Sequence, residues 1–204
     1  MSPTAAPPVR RTQAERRATS RAKILDATLA CLAERGYAGA SLPEIVRRAG
    51  LSNGALWRHF RSKADLLAAA SLEAEARLLA GAPKPRSSRS AATAIDEVID
   101  QILHWSQQPE MFAIIELMLA SRADPHLHEA MSANDERAAS LFVEEIRRLL
   151  GPHLSSHPYF RANVRQLGLT LYGIAVTHHL RAESARAAFA DELRELARRL
   201  FDIT

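Results

Sequence analysis

The stretch SLPEIVRRAGLSNGALWRHFRSK, residues 41–63, carries the start and end signals of two short helices with a tight turn between them. Ser41 and Glu44, three residues apart, form the pattern of a reciprocal helix cap, in which each side chain accepts a backbone hydrogen bond near the other residue. Gly50 is expected to end this helix, because glycine adopts a left-handed backbone at little cost. Ser52 is then placed to cap a second helix. Two short helices joined by a glycine-containing turn are typical of a helix-turn-helix.

The second of these helices, which we expect to run from Ser52 through His59, has two unlike sides. At about 100° of rotation per residue, Leu56 and Phe60 lie on one side, which we expect to pack inward. The opposite side is small and basic, so it could approach a DNA groove closely, with Arg58 donating two hydrogen bonds to a guanine. The outward and flanking residues are Gly54, Ala55, Trp57, Arg58 and His59.

The charge of the chain is unevenly distributed. Residues 1–63 contain 12 Lys or Arg and 4 Asp or Glu, whereas residues 64–204 contain 15 and 19. A basic region attracts polyanions, and nucleic acid is the obvious candidate because neutralised phosphates release their counterions. Charge alone leaves a merely solvated surface as an equal alternative, so the helical spacing decides in favour of DNA.

The longer segment GYAGASLPEIVRRAGLSNGALWRHFRSKADLL, residues 36–67, resembles the tetracycline-repressor (TetR) family of one-component transcriptional regulators. The resemblance implies that Ser41 and Lys63 hold phosphates and that the second helix meets bases. For Arg47 a solvated helix face stays open as the alternative to DNA contact. The complete set of predicted DNA-contacting residues is Ser41, Arg47, Ser52, Asn53, Gly54, Ala55, Trp57, Arg58, His59 and Lys63.

The rest of the chain is predicted to be helical, so the fold class is all-α. Aromatic residues make up only 5% and alanine is frequent, which favours helices over sheets. After a first helix at 12–35 and a connecting helix at 63–80, further helices are expected at 91–107, 109–121, 125–149, 158–181 and 184–202. We predict a disordered arm at 1–11, a three-helix DNA-binding domain at 12–62, the connecting helix at 63–80, and a larger effector-binding and dimerisation domain at 81–204.

The TetR resemblance implies an effector pocket in the C-terminal region and release from DNA when a small molecule binds, and the apolar residues of this region suit a partly apolar one. The helix around residues 111–119 is apolar nearly all round, which indicates burial on several sides. Glu116 interrupts it, and we favour a structural bridge to an arginine over contact with an effector. Plain core packing is the alternative for each apolar candidate. The predicted pocket residues are Trp105, Met111, Phe112, Ile115, Glu116, Met118 and Tyr172.

The resemblance also implies a homodimer built from the last two helices. A twofold dimer would match a palindromic operator in double-stranded DNA. Apolar residues recur at helical spacing in both helices, although packing within one subunit would use the same stripes. The predicted interface residues are Leu167, Leu171, Ile174, His178, Leu193, Leu196 and Leu200.

Several other classes of protein are disfavoured. No apolar run approaches the ~18–20 residues that span a bilayer, so we expect no membrane partner and a soluble, cytoplasmic protein. The single cysteine, Cys31, cannot form an intramolecular disulfide. The histidine pairs have poor ligand spacing, and no nucleotide fingerprint or nucleophile elbow occurs, so we expect no metal, no cofactor and no enzymatic activity. The remaining alternative, a ligand-independent architectural DNA-binding protein, has no evident use for the long helical region after Lys63.

Overall fold

The computed structural model describes residues 12–85, 89–177, 180 and 182–203. Within these ranges the chain is helical and has no strand, which confirms the predicted all-α class. The predicted arm at 1–11 and His178 lie outside the described residues. The helices are α1 (Gln13–Gly39), α2 (Leu42–Ala49), α3 (Asn53–Trp57), α4 (Lys63–Ala80), α5 (Ala91–Trp105), α6 (Pro109–Ser121), α7 (Pro125–Ser155), α8 (Phe160–Thr177) and α9 (Glu183–Leu200).

Local signals place several helix ends correctly. Helix α4 begins and ends at the predicted residues, and so does α6. Gly36, the predicted end of the first helix, has a φ of 66° and breaks the helical path, although helical turns resume as far as Gly39. Gly151 in α7 does the same with a φ of 81°, two residues after the predicted end of that helix. In both places the positive φ suits glycine because it has no Cβ.

Two details of the helix-turn-helix differ from the prediction. Ser41 accepts a hydrogen bond from the Glu44 amide at 3.4 Å, but the Glu44 carboxylate binds Arg47 instead of returning to the Ser41 amide. The reciprocal cap is therefore only half formed. Helix α3 ends at Trp57 and not at His59, since residues 58–62 form the turn that leads to the Ser62 cap of α4.

The described residues form two apolar cores. One is built around α1 to α4 and also takes in Ala113, Ile114 and Leu117 of α6 and Leu127 of α7. The other joins the end of α4 to α5, α7, α8 and α9. Helix α6 packs directly on α1 and α4, the two helices that flank the helix-turn-helix in the sequence. Each helix that the structure describes is too short or too polar to cross a lipid bilayer.

Candidate nucleic-acid interface and interior cavity

Helix α3 is held to the first core by the two residues that the spacing predicts to face inward. Leu56 is 1% exposed and Phe60 is 2% exposed, which confirms their predicted orientation. The guanidinium carbon of Arg21, on α1, lies 5.5 Å from the centre of the Phe60 ring. Burial of these two side chains fixes which side of a five-residue helix meets solvent, although a helix this short is marginal by itself.

The solvent side of α3 presents most of the predicted DNA-contacting residues. Ser52, Asn53, Gly54 and Arg58 are exposed, and Trp57 is 47% exposed despite its large apolar ring. Ala55 and His59 are partly buried. Trp57 and Arg58 are neighbouring exposed side chains on a helix whose other side is buried. This arrangement suits contact with a partner better than it suits core packing.

Basic residues from two helices converge at His59. Burial lowers the pKa of His59, and the positive charges of Arg17, Arg21 and Arg58 lower it further. Arg17 and Arg21 belong to α1 and Arg58 follows α3, so the basic surface is shared between these helices. Near neutral pH the imidazole is neutral and donates a hydrogen bond through one nitrogen only.

Arg47 is engaged within its own helix. Its guanidinium donates to both carboxylate oxygens of Glu44, at 2.8 and 2.6 Å, while its side chain stays exposed. This hydrogen bonding lowers the pKa of Glu44 and raises the pKa of Arg47. The arrangement fits the solvated-face alternative, because the charge of Arg47 is already paired with Glu44 at the helix surface.

One of the two predicted phosphate ligands, Lys63, contacts Tyr37. The Lys63 ammonium, at the first residue of α4, lies 4.9 Å from the centre of the Tyr37 ring. Ser41, which caps α2, is exposed and follows Tyr37 closely in the chain. The position of Tyr37 therefore bears on the Lys63 ammonium, which lies against its ring.

Glu116 of α6 holds the Tyr37 segment in place. Its Oε2 accepts a hydrogen bond from the Tyr37 amide at 2.7 Å, and the Tyr37 hydroxyl donates to Asp124 at 3.1 Å. A Cβ at Gly36 would lie 2.8 Å from the same Glu116 oxygen, so glycine allows this close approach. The favoured structural role of Glu116 fits, but its partner is a backbone amide and not the predicted arginine.

Removing the Glu116 carboxylate is expected to lower the free energy of unfolding by about 1–3 kcal/mol, because Glu116→Ala leaves the partly buried Tyr37 amide without its acceptor. Glu116→Gln retains a side-chain oxygen and should lose less. Urea denaturation measures both changes, with Glu129→Ala on the exposed side of α7 as the matched control. A loss no larger than that of the control would show that the link carries no stability.

A cavity of about 530 Å³ lies between α4, α6, α7 and α8. Of the predicted pocket residues, Met111, Met118 and Tyr172 line it. The other four lie elsewhere, which corrects their assignment: Trp105 is buried in the second core, Phe112 is largely exposed, Ile115 packs against that core, and Glu116 binds Tyr37. A helix that is apolar all round does not reveal which side faces the cavity.

Glu75 of α4 forms part of the cavity wall but is not among the residues predicted from the sequence. In the run LEAEAR, residues 72–77, it looks like one of several charges on a solvated face. The helical spacing is the feature that indicates burial of Glu75. It lies four residues after Ser71 and three before Leu78, so all three share one side of α4, and Ser71 and Leu78 are buried.

Most of the predicted dimer contacts are internal. Leu167, Leu171, Ile174 and Leu193 are buried in the core of the same subunit, and Leu200 packs against it. This corrects their assignment in favour of the intramolecular alternative. Leu196 is the exception, with 54% exposed. Large apolar side chains that α8 does expose are Leu169, at 59%, and Val176.

Comparison with known proteins relates the sequence of this chain to a family of bacterial regulators. Residues 24–70 match the family described as "Bacterial regulatory proteins, tetR family". An HTH-type transcriptional regulator of Mycobacterium tuberculosis is 36% identical over 125 residues, and this match covers 59% of the present chain and 63% of that protein. The present chain thus spans less than two thirds of the length of that relative.

Other relatives align over more of the chain. The HTH-type transcriptional regulator BetI of Stenotrophomonas maltophilia is 31% identical over 180 residues, which cover 81% of this chain and 87% of BetI. The structure of Salmonella enterica GusR superposes with a TM-score of 0.66 at 22% identity, covering 90% of this chain and 95% of that one, and so shares the fold. Since the helix-turn-helix matches the family and BetI aligns along most of its length, this chain belongs to the TetR family of bacterial regulatory proteins.

Proposed function

We propose that this protein is a sequence-specific DNA-binding transcriptional regulator, acting in the cytoplasm as a repressor that a small-molecule effector releases from its operator. The observation that carries the proposal is the exposed surface of α3 and of the turn after it, which is small and basic, while Leu56 and Phe60 bury the opposite side in the core. Such a helix can enter the major groove of DNA. The named relatives are transcriptional regulators, a class without enzymatic activity.

We assign the individual roles from geometry and chemistry. Arg58 reads a guanine through two hydrogen bonds, and Trp57 and His59 donate to the backbone or to base edges beside it. Ser41 and Lys63 bind phosphates on the two sides of α3. Of the other predicted contacts, Arg47 stays paired with Glu44, while four residues lie at the start of the helix, where small side chains permit close approach to DNA: Ser52, Asn53, Gly54 and Ala55.

The domain division follows these roles. Residues 12–62 form the DNA-binding domain, 63–80 the connecting helix, which also supplies one wall of the cavity, and 81–204 the rest of the effector-binding and dimerisation domain. A homodimer would place two α3 helices on a palindromic operator, with half-sites separated by one or more turns of DNA. Leu169, Val176 and Leu196 are the exposed apolar residues of α8 and α9 that a second copy would cover.

Helix α6 links the cavity to the DNA-binding surface. Met111, Ile114 and Met118 face the cavity, while Glu116 of the same helix binds the Tyr37 amide next to Lys63. A ligand that displaces α6 would therefore displace Tyr37 and alter the spacing of the phosphate ligands. The cavity also favours an effector-controlled regulator over a ligand-independent architectural protein, because an architectural protein does not need a ligand-binding cavity.

Selection of binding sites from random duplex DNA tests this function. We expect a palindromic sequence to be enriched and bound at least about a thousandfold more tightly than random DNA, in keeping with specific regulators. We also expect the affinity to fall steeply as salt is raised. Equal binding to the selected and random sequences would contradict the proposal and support the architectural alternative.

Substitutions in the two classes of contact should behave differently. Arg58→Ala is expected to cost about 1–3 kcal/mol on the selected operator and to relax the preference at one base pair, because it removes base contacts. Lys63→Ala should weaken binding to every sequence alike, since phosphates carry no sequence information. Gel-shift or anisotropy titrations measure both effects, with Arg137→Ala, exposed on α7, as the charge-matched control. Equal loss on all sequences for both variants would contradict the assigned roles.

A further inference from the structure

Glu75 places a carboxylate in the cavity wall without a hydrogen-bond donor. Its Oε2 is buried and accepts no hydrogen bond from any residue that the structure describes. Neighbouring carboxylates on the same helix are satisfied, as Glu73 illustrates by binding Arg77 at 2.8 Å. An unpaired buried carboxylate is costly to keep ionised, so its presence calls for a partner that the chain itself does not supply.

The surroundings of Glu75 reinforce its need for a positive partner. Burial raises the pKa of Glu75 to about 7, and the negative charge of Asp135 on α7 contributes. Tyr172 on α8 lines the same cavity, and burial together with the charges of Glu75 and Asp135 raises its pKa to about 12. Tyr172 therefore stays neutral and keeps a hydroxyl proton. Glu75 and Tyr172 thus give the cavity wall an acidic and polar place.

The cavity has positive groups as well, but they lie where it opens to solvent. Arg161 and Arg165 of α8 line it and are exposed. Water screens charges at an exposed rim, whereas a buried carboxylate is screened much less. Glu75 should therefore dominate the choice of ligand charge inside the cavity.

The remaining wall is mainly apolar. Met111, Ile114, Phe142, Val143 and Leu171 line it, drawn from α6, α7 and α8. The volume of about 530 Å³ lies within the range of roughly 300–1,000 Å³ that is usual for small-molecule sites. Such a wall buries a hydrocarbon or aromatic body and leaves Glu75 to bind a single polar group.

We propose that the ligand of this cavity is an apolar amine, whose protonated nitrogen donates hydrogen bonds to Glu75 while its hydrocarbon part packs against the methionine-lined wall. That this amine acts as the effector rests on the proposed function, whereas its binding in the cavity does not. The Tyr172 hydroxyl is available as a second polar contact to the same end of the ligand.

Three probes that each carry a phenyl ring on a four-carbon chain test the charge preference: 4-phenylbutylamine, 4-phenylbutanol and 4-phenylbutyrate. We expect calorimetric titration of the full chain, without DNA, to show the amine binding roughly tenfold or more tightly than the other two. At pH 7 the amine should release a proton from Glu75, visible as a dependence of the measured heat on the buffer, and its affinity should rise as the pH increases through 7.

Glu75→Gln is expected to weaken the amine roughly tenfold or more and to change phenylbutanol by less than about twofold, because only the charge is removed. Glu73→Gln removes a carboxylate from the same helix outside the cavity and should alter neither. Tighter binding of phenylbutyrate, an unchanged preference in Glu75→Gln, or no amine binding up to about 10 mM would each overturn the proposal.

Operator binding separates this inference from the proposed function. If the protein selects a palindromic sequence but binds no amine, the proposed function stands and the proposal of an amine ligand is wrong. If the protein binds the amine through Glu75 but shows no preference for any DNA sequence, the proposal of an amine ligand stands and the proposed regulatory function is wrong.

Discussion

Phe60→Ala is expected to lower the free energy of unfolding by about 3–5 kcal/mol and to abolish DNA binding. Phe60 is almost fully buried, and Arg21 of α1 lies over its ring. Losing this ring opens a void in a small core and releases the short α3, which has few other anchors. Because whole domains are stable by only about 5–15 kcal/mol, such a loss is severe. Urea denaturation and operator titration of the same variant measure the two effects.

Trp57→Ala is the matched control, since it removes an even larger aromatic ring three residues earlier. Trp57 is substantially exposed, so its removal should change stability by less than about 1 kcal/mol. DNA affinity should nevertheless fall, because Trp57 lies on the outward side of α3. If the two variants were equally destabilised, the assignment of inward and outward sides would be wrong.

Raising the pH from about 4.5 through about 7 is expected to destabilise the protein through Glu75. Its pKa is about 7 in the folded chain and close to the ordinary value of 4.5 when unfolded, so the folded state binds more protons within this window. Stability must therefore fall as the pH rises, by roughly 2–3 kcal/mol from this one group, and level off above pH 7.

Denaturation midpoints of the wild type and Glu75→Gln across this pH range isolate the effect, because all other titrating groups are common to both. The variant should gain stability relative to the wild type as the pH rises. Glu73→Gln, whose carboxylate binds Arg77 in the wild type, should show no such relative gain. Parallel pH curves for the wild type and Glu75→Gln would show that Glu75 is solvated in the folded protein.

Features that depend on neighbours in the chain were predictable. Ser62 and the ends of α4 follow from capping, and Gly36 and Gly151 mark the breaks because only glycine adopts their positive φ easily. The inward side of α3 followed from the four-residue spacing of Leu56 and Phe60. These signals act over one or two helical turns, which is the distance over which a sequence pattern carries direct structural information.

Features that depend on which helices meet were not predictable. Glu116 lies on an apolar helix and shows no sign in the sequence that it binds an amide 79 residues earlier. The stripe containing Leu167 and Leu171 suits a second subunit and the subunit's own core equally well, and the structure uses it for the core. In the sequence Glu75 resembles a surface charge, and it is the packing of α7 and α8 around α4 that places it in the cavity wall.

The sequence by itself determined the all-α class, the helix-turn-helix with its outward basic face, and the family resemblance, because caps, breaks and helical spacing are local properties. Only the tertiary structure decided that α6 joins the cavity to Tyr37 and that Glu75 lies unpaired within that cavity. Those facts depend on helices distant in sequence, and the burial of a charge is set by the elements packed around it and not by its neighbours in the chain.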